Sequence, residues 1–347
     1  MKKAKHGRIT MLEEVKLENF GPLTQVNWRG LGPINLVIGG NGTGKTFLLK
    51  AIYSAMRTLE EYKRGDDRRM ATEILADKLN WTFQTEKIGD LMTKGADGAL
   101  SFTLQFDKSC FYYSFGKDTT KQISSLENHV QPRQSNSIFL PAKEVLSLHH
   151  IILKSREQDK LFGFDDTYLD LARALRHQPT KGKNYKEFSE SRKKLQDILD
   201  GRIEYDEASG RWQFKKGNQK FPIGVTAEGI KKIAILDTLL CNRYLDADSV
   251  VFIDEPESAL HPMAVSRLLD IVALLASRGL QFFLASHSYF VVKKLFLIAQ
   301  KKKLSIPVIA AQDSQWVSAN LKDGMPANTI IDESIRLYKE EVDMALK

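Results

Sequence analysis

The chain has 347 residues, 42% of them hydrophobic and 27% charged, so it can bury a large core, and its length suggests about two domains. Its formal net charge of +8 permits contact with nucleic acid or another acidic surface. An excess of basic residues of this size more often belongs to an ordinary solvent-exposed surface. The two cysteines, Cys110 and Cys241, have no second cysteine or histidine at metal-ligand spacing, which argues against zinc and disulfides and favours a cytoplasmic location.

The N-terminal segment contains three runs that predict β-strands: MLEEVKLENF, LTQVNWRG and PINLVI. Glycine-proline pairs at 21–22 and 32–33 mark the turns between them. The third run leads into a glycine-rich loop, GGNGTGKT, and then into a segment with apolar residues at helical spacing from Leu48 to Leu59. A strand, a glycine-rich loop and a helix therefore follow one another.

Residues 39–46 match the phosphate-binding pattern of a glycine, four residues, and then Gly-Lys-Ser/Thr. Glycines let consecutive N–H groups turn toward an anion, and the helix N-terminus adds its partial positive charge. Lys45 supplies a point charge and Thr46 a hydroxyl for Mg²⁺. A glycine-rich turn without function is the alternative, which the strand-loop-helix context disfavours. The candidate nucleotide-binding residues are Gly39, Gly40, Asn41, Gly42, Thr43, Gly44, Lys45, Thr46 and Phe47.

The middle of the chain mixes strands and helices. GALSFTLQFDKSCFYYSFGKD predicts an antiparallel pair, and SNSIFLPAKE a buried strand. Segment 145–200 is charged and helical in period, with a break at 179–185, and predicts an inserted helical subdomain. Its pair His149 and His150 is assigned to the surface. GRIEYDEASGRWQFKKGNQKF predicts a hairpin around Ser209, and TAEGIKKIAILDTLL predicts a helix.

Two acidic residues follow the predicted strand SVVFI. Asp254 is placed to hold Mg²⁺, and Glu255 to polarise an attacking water. Two such carboxylates alone could equally form a turn or a helix cap, but the phosphate loop favours the functional interpretation. His287, in FFLASHS, follows another apolar strand, where a parallel sheet gathers ligand-binding loops. We interpret His287 as a γ-phosphate sensor rather than as a histidine that caps a strand end.

Alternating strands and helices in the C-terminal half predict a mostly parallel sheet with crossover helices. We therefore predict an α/β P-loop NTPase in three parts. Residues 1–144 form an N-terminal lobe with the phosphate loop and an antiparallel β subdomain. Residues 145–200 form the helical insertion, and residues 201–347 form a C-terminal lobe with the hairpin, the acidic pair and His287.

The segments KLENFGPL, IGGNGTGKT, TAEGIKKIA, DEPESALHP and ASHS occur in this order. Over nearly its whole length the chain thereby resembles the ABC-type ATPase heads of the SMC, RecF and OLD-like group, and most of all the compact AAA-family ATPases of bacterial anti-phage systems. The resemblance implies that residues 226–229, with Thr226, Glu228 and Gly229, are similar to the signature motif that contacts the γ-phosphate of ATP on the opposite subunit. It also implies that residues 258–261 communicate between the two sites.

These similarities imply ATP and Mg²⁺ as cofactors and a homodimer or higher even oligomer. Two positions depart from the family pattern. Thr-Ala-Glu-Gly replaces a Ser-Gly-Gly form, which places Glu228 where its charge would face phosphate, so we expect slow or partner-stimulated hydrolysis. After Leu140, where ABC proteins place a glutamine that senses Mg²⁺ and water, this sequence has PAKE, and that role stays unassigned.

The leading functional hypothesis is an ATP-driven dimerisation switch in anti-phage defence that acts with a separately encoded effector, such as a nuclease. Relatives of the OLD type carry a C-terminal Toprim nuclease, whereas the segment after His287 is short for an added catalytic domain. The alternative is a RecF-like DNA-repair ATPase, because basic residues gather at 181–220 and at the start of the chain. A transporter subunit fits less well, and we expect no membrane association, since Asp270 and Arg278 interrupt the apolar segment 268–285.

Overall fold

The computed structural model describes residues 11–177, 186–312 and 315–346. The predicted break at 179–185 and the basic residues at the start of the chain lie outside the described residues. The strands are β1 (Glu14–Phe20), β2 (Leu23–Arg29), β3 (Ile34–Ile38), β4 (Leu100–Phe106), β5 (Ser109–Phe115), β6 (Ser125–Asn128), β7 (Ser137–Leu140), β8 (Arg202–Asp206), β9 (Arg211–Lys216), β10 (Gln219–Pro222), β11 (Val250–Asp254), β12 (Gln281–Ser286), β13 (Pro307–Gln312) and β14 (Gln315–Asn320). The helices are α1 (Lys45–Glu61), α2 (Ala71–Phe83), α3 (His149–Leu153), α4 (Asp166–Leu175), α5 (Lys186–Leu199), α6 (Glu228–Cys241), α7 (Pro262–Ala276), α8 (Tyr289–Lys302) and α9 (Thr329–Ala345).

The N-terminal β subdomain is an antiparallel sheet of five strands in the order β2-β1-β4-β5-β6. Alternation sets its faces: β4 buries Leu100, Phe102, Leu104 and Phe106, while the residues between them are half-buried. The buried face packs into one core with the inner side of α1. The predicted antiparallel pair is therefore confirmed as β4 and β5.

The main sheet has six strands in the order β14-β13-β3-β12-β11-β7. In this sheet, the strands from β13 to β7 in that order are parallel to one another. Among its described strands, only β14 runs antiparallel to its neighbour, β13. Every residue of β3, β11 and β12 is buried, because α7 packs on one face of the sheet and α1 with the β subdomain packs on the other. Since β12 lies between β3 and β11, the loops that follow these three strands meet at one edge of the sheet.

The helices of segment 145–200 share the core of the main sheet. Buried residues such as Leu171 of α4 and Phe188 and Leu195 of α5 belong to the same apolar cluster as β11 and α6. Our surface assignment of His149 is wrong, whereas His150 is exposed. His149 is 2% exposed, its Nε2 lies 3.0 Å from the carbonyl oxygen of Ala172, and burial lowers its pKa.

The predicted hairpin is part of a small antiparallel sheet in the order β10-β9-β8. The chain turns at Gly210 between β8 and β9, and again at Gly217, whose φ of +55° favours glycine. The second turn adds β10, which leads directly toward residues 226–229 and α6. Within the described ranges, no helix is both long enough and apolar enough to cross a lipid bilayer.

Candidate nucleotide site

The glycine-rich loop between β3 and α1 has backbone angles that side chains rarely tolerate. Gly39, Gly42 and Gly44 have φ of +159°, +77° and +94°. An added Cβ at Gly44 would lie 2.9 Å from Cδ2 of Leu23, so this loop also packs tightly against the β subdomain. Helix α1 begins at Lys45, and its first N–H groups have no partner within the helix. The loop and helix end therefore form an anion-binding cradle.

The Lys45 side chain folds back over the loop. Its Nζ donates to the carbonyl oxygens of Gly39 at 2.9 Å and Gly40 at 2.7 Å. Burial lowers the pKa of Lys45, and the nearby carboxylates of Asp254 and Glu255 oppose this shift. The ammonium group is thus held at the mouth of the cradle, where a phosphate oxygen would replace the carbonyl contacts.

Asp254, at the end of β11, meets the first turn of α1. Thr46 Oγ1 donates to Asp254 Oδ2 at 2.9 Å. The other carboxylate oxygen, Oδ1, is buried and has no hydrogen-bond partner among the described residues. Burial raises the pKa of Asp254, and the hydrogen bond from Thr46 opposes this shift. A buried carboxylate oxygen without a partner, beside a hydroxyl and an anion cradle, fits a magnesium ion that also binds phosphate.

Glu255 and His287 lie beside each other, because they follow β11 and β12, which are adjacent parallel strands. His287 Nδ1 is 3.5 Å from Glu255 Oε1. The backbone of Glu255 is left-handed, with φ of +48°. Its N–H donates to the carbonyl of Ala285 on β12, and its own carbonyl accepts from Lys232 Nζ at 2.8 Å. The geometry therefore holds Glu255 between β12 and α6.

Glu257 is a site residue that the sequence analysis missed. Its Oε1 accepts a hydrogen bond from Ser286 Oγ at 2.8 Å and lies 3.9 Å from His287 Nδ1. Its Oε2 is buried without a hydrogen-bond partner among the described residues. The one sequence feature that could have indicated a role for Glu257 is its position two residues after Glu255. Its contact with Ser286 depends on the pairing of β11 with β12.

A cavity of about 620 Å³ extends from the phosphate loop. Its wall includes residues 41–47 except Thr43, and Glu255, as expected, but also Lys50, residues 82–84 at the end of α2, and Asp165. Such a volume accommodates a nucleotide. Phe20 packs against Phe47 but is fully buried and does not line the cavity.

Helix α4 of the insertion is tied to the phosphate-loop helix by buried polar contacts. Lys50 Nζ lies 2.6 Å from Asp165 Oδ2, at the wall of the nucleotide cavity. Further along α1, Tyr53 OH donates to Asp170 Oδ2 at 2.7 Å, and Arg57 Nε lies 3.2 Å from the same oxygen. Burial opposes ionisation of Asp170, but nearby basic groups outweigh burial and lower its pKa to about 2. The insertion is thus in direct contact with the cavity wall.

Residues 226–229 lie elsewhere in the same chain. They lead into the first turn of α6, and none of them lines the phosphate-loop cavity. Glu228 instead borders a second cavity of about 570 Å³, together with Lys143 of the PAKE segment and Ser258. Its carboxylate accepts a hydrogen bond from Lys231 Nζ at 2.8 Å, which offsets its negative charge. One chain alone therefore does not bring the signature-like segment to its own phosphate loop.

Two solved structures that are similar to this fold are heads of Smc proteins. The Smc head bound to the C-winged helix domain of ScpA has 15% identity and a TM-score of 0.54, and the match covers 90% of this chain and 98% of that chain. An Smc head with an extended coiled coil, bound to the C-terminal domain of ScpA derived from Pyrococcus furiosus, has 11% identity and a TM-score of 0.50, with coverage of 96% and 99%. The predicted α/β P-loop fold of the ABC-ATPase head type is thus confirmed.

No curated protein matches the chain. A family model described as "AAA domain, putative AbiEii toxin, Type IV TA system" matches residues 34–293. This segment covers most of the chain and contains the phosphate loop, the acidic pair and His287. The protein therefore belongs to this family of AAA domains.

Proposed function

We propose that this protein binds Mg²⁺-ATP, hydrolyses it slowly, and forms a dimer around it. The observation that carries this proposal is the hydrogen bond from Thr46 to Asp254, with the unpartnered Oδ1 of Asp254 beside the anion cradle. Residues 39–46 would hold the phosphates, and Thr46 and Asp254 would hold the metal. Magnesium would neutralise charge on the phosphate oxygens.

Hydrolysis would use Glu255 as the base toward water. Its carboxylate borders the cavity next to the phosphate loop, and His287 lies within reach of both that carboxylate and Glu257. His287 would then contact the terminal phosphate. Because the backbone of Glu255 is left-handed, its carboxylate direction depends on the contacts that hold its peptide groups.

The metal site has a direct test in Thr46→Val, which keeps the side-chain shape but removes the hydroxyl. We expect the affinity for Mg²⁺-ATP to fall at least about tenfold, as for the loss of a metal-site contact. Affinity for ATP in EDTA should change little, because the phosphate contacts of the loop remain. If calorimetry shows that the affinity for ATP falls equally with Mg²⁺ and in EDTA, the assignment of Thr46 to the metal is contradicted.

Dimerisation is supported by the position of residues 226–229. They lie outside their own phosphate-loop cavity, with Glu228 and the preceding Ala227 exposed. A second copy that supplies this segment would complete the nucleotide site. Such an arrangement produces a homodimer or a higher even oligomer, in which ATP is buried between subunits.

We further propose that the ATP-dependent dimer works as a switch in anti-phage defence with a separately encoded effector. Support comes from the family description as a putative toxin of a type IV toxin-antitoxin system. The structurally similar Smc heads are bound to domains of another protein, ScpA. In this chain the insertion is a candidate partner surface, because α4 reaches the cavity wall through Asp165.

Replacing residues 179–185 with Gly-Ser residues of equal number tests that surface. ATP turnover should stay within about twofold, since none of these residues belongs to the proposed ATP site, whereas effector copurification and protection from phage should be lost. The same replacement at residues 117–121, a mostly exposed surface segment, is the matched control and should keep both ATP turnover and protection from phage. Retained protection in the first variant would place the partner surface elsewhere, and DNA cleavage by the purified chain alone would show that its output needs no effector.

The alternative, a RecF-like DNA-binding ATPase, is favoured by one observation. The small sheet β8-β9-β10 exposes several basic side chains, among them Arg202, Arg211, Lys216 and Lys220. Binding through such side chains would weaken steeply with salt, because it releases counterions from DNA. Duplex DNA bound only in the presence of Mg²⁺-ATP, with that salt dependence, would favour this alternative over the switch.

A further inference from the structure

Adjacent lysines on α6 serve different parts of the molecule. Lys231 is buried, and its Nζ contacts Glu228 at 2.8 Å and Ser147 Oγ at 3.2 Å. Lys232 points to the acidic edge of the sheet instead, where its Nζ donates to the carbonyl oxygen of Glu255 at 2.8 Å. Of these two lysines, only Lys232 therefore connects α6 with the proposed catalytic base, Glu255.

The carbonyl that Lys232 contacts belongs to a strained residue. Glu255 has φ of +48°, a region that residues other than glycine occupy only when their surroundings hold them there. Three hydrogen bonds hold this peptide: the N–H of Glu255 donates to Ala285, and its carbonyl accepts from the N–H of Ser258 at 3.0 Å and from Lys232. Lys232 supplies the only side-chain donor of the three. Without it, the backbone of Glu255 can relax and turn its carboxylate away from the cavity.

The ammonium group of Lys232 also interacts electrostatically with the acidic residues of this site. Burial lowers its pKa, and the carboxylates of Glu257, Asp254 and Glu255 oppose that shift. A hydrogen bond from an ammonium group to a carbonyl is stronger than a neutral one, and it is lost when donor and acceptor separate by about 1 Å. A displacement of α6 of that size would therefore release the Glu255 carbonyl.

We propose that Lys232 is a positioning residue that holds Glu255 in its hydrolysis-competent backbone geometry and links it to the segment that contacts the partner's nucleotide. This inference rests on the proposed dimeric ATPase. Residues 226–229 serve the nucleotide of the other subunit, whereas Glu255 serves the nucleotide of its own. Lys232 joins the two within one chain, so nucleotide binding at one site changes the geometry of the base at the other.

The test compares Lys232→Met, which keeps the apolar stem, with Lys232→Arg, which keeps a cationic donor. In the methionine variant we expect Mg²⁺-ATP affinity within about twofold of the parent, kcat reduced roughly 10- to 100-fold, the range for a lost charged hydrogen bond, and a Hill coefficient for ATP that falls toward one. The arginine variant should recover most of kcat. Lys193→Met, an exposed lysine on α5, is the control and should change none of these.

A second measurement does not depend on turnover. Amide hydrogen exchange in peptides that cover residues 254–258 should be faster in Lys232→Met than in the parent without nucleotide, and unchanged in Lys193→Met. Unchanged kcat and unchanged exchange in Lys232→Met would overturn the inference. So would a parallel loss of ATP affinity and thermal stability that arginine does not restore, since that pattern indicates a structural role. A parent protein that neither binds nor hydrolyses Mg²⁺-ATP would instead overturn the proposed function, while the exchange measurement would still decide whether Lys232 holds Glu255.

Discussion

Lys45→Ala should reduce the affinity for Mg²⁺-ATP by about 100-fold, or roughly 3 kcal/mol, which is the cost of removing one partner from a buried charge pair. Lys45 is 8% exposed, and its Nζ lies at the mouth of the phosphate loop. Water in the alanine variant therefore cannot fully replace the charge that the ammonium group presents to phosphate. Isothermal titration calorimetry with Mg²⁺-ATP measures the effect. Unchanged binding would remove the basis for the whole nucleotide assignment.

The Lys45 variant needs two controls, because this side chain also bonds to the carbonyls of Gly39 and Gly40. Thermal unfolding of the apo protein tests whether loss of those bonds destabilises the fold. Lys16→Ala, at an exposed lysine of β1, tests whether a change of one positive charge alone weakens binding. We expect less than about a twofold effect from it, because exposed charges contribute little.

Glu255→Gln should bind Mg²⁺-ATP yet lower turnover by at least about 100-fold, the usual contribution of a general base. Glutamine keeps the volume of the side chain, and the contact with His287 is 3.5 Å long, so little ground-state binding is lost. Trapped ATP should then hold two subunits together. Light scattering with ATP and Mg²⁺ should show a dimer that the parent protein forms only transiently.

The shared site can be tested by Ala227→Asp in the Glu255→Gln background. Ala227 is exposed and is the N-cap of α6, where aspartate is locally favourable, but its charge would repel the partner's γ-phosphate. Gly229 is unsuitable, because an added Cβ would lie 2.5 Å from Cδ2 of Leu260 and would disturb the fold. We expect a monomer. A dimer that persists without nucleotide would indicate another surface, such as the exposed apolar residues Ile335 and Tyr338 of α9.

Local sequence determined the phosphate loop and the elements around it. The glycine-rich loop, the helix that follows it and the antiparallel pair β4 and β5 depend on neighbouring residues, and all three elements were predicted. The acidic pair was predicted because it follows an apolar strand and because a phosphate loop needs an acidic partner for its metal. His287 was predicted because a parallel sheet gathers the loops that follow its strands at one edge. Predicting these features requires only that the sheet is mostly parallel, not the order of its strands.

The tertiary structure decided which distant groups meet. Lys50 contacts Asp165, 115 positions away, and Ser286 contacts Glu257 only because β12 pairs with β11. His149 is buried because α3 packs beneath the small sheet, against Trp212 of β9. Periodicity reports which side of an element is apolar but not which element covers it, so these contacts could not be predicted from the pattern.

The sequence by itself thus determined the candidate phosphate loop, because the backbone angles and short spacing of residues 39–46 are local, and it supplied the residue types, Thr46 and Asp254, of the proposed metal site. Only the tertiary structure decided how Glu255, the proposed base, is held. Lys232 and Glu255 are 23 positions apart on α6 and after β11, and no local signal pairs them. Their contact exists because the packing of α6 brings the lysine to the end of β11, where a strained carbonyl accepts it. Long-range packing, rather than composition or motif, therefore joins the signature-like segment to the acidic edge of the sheet.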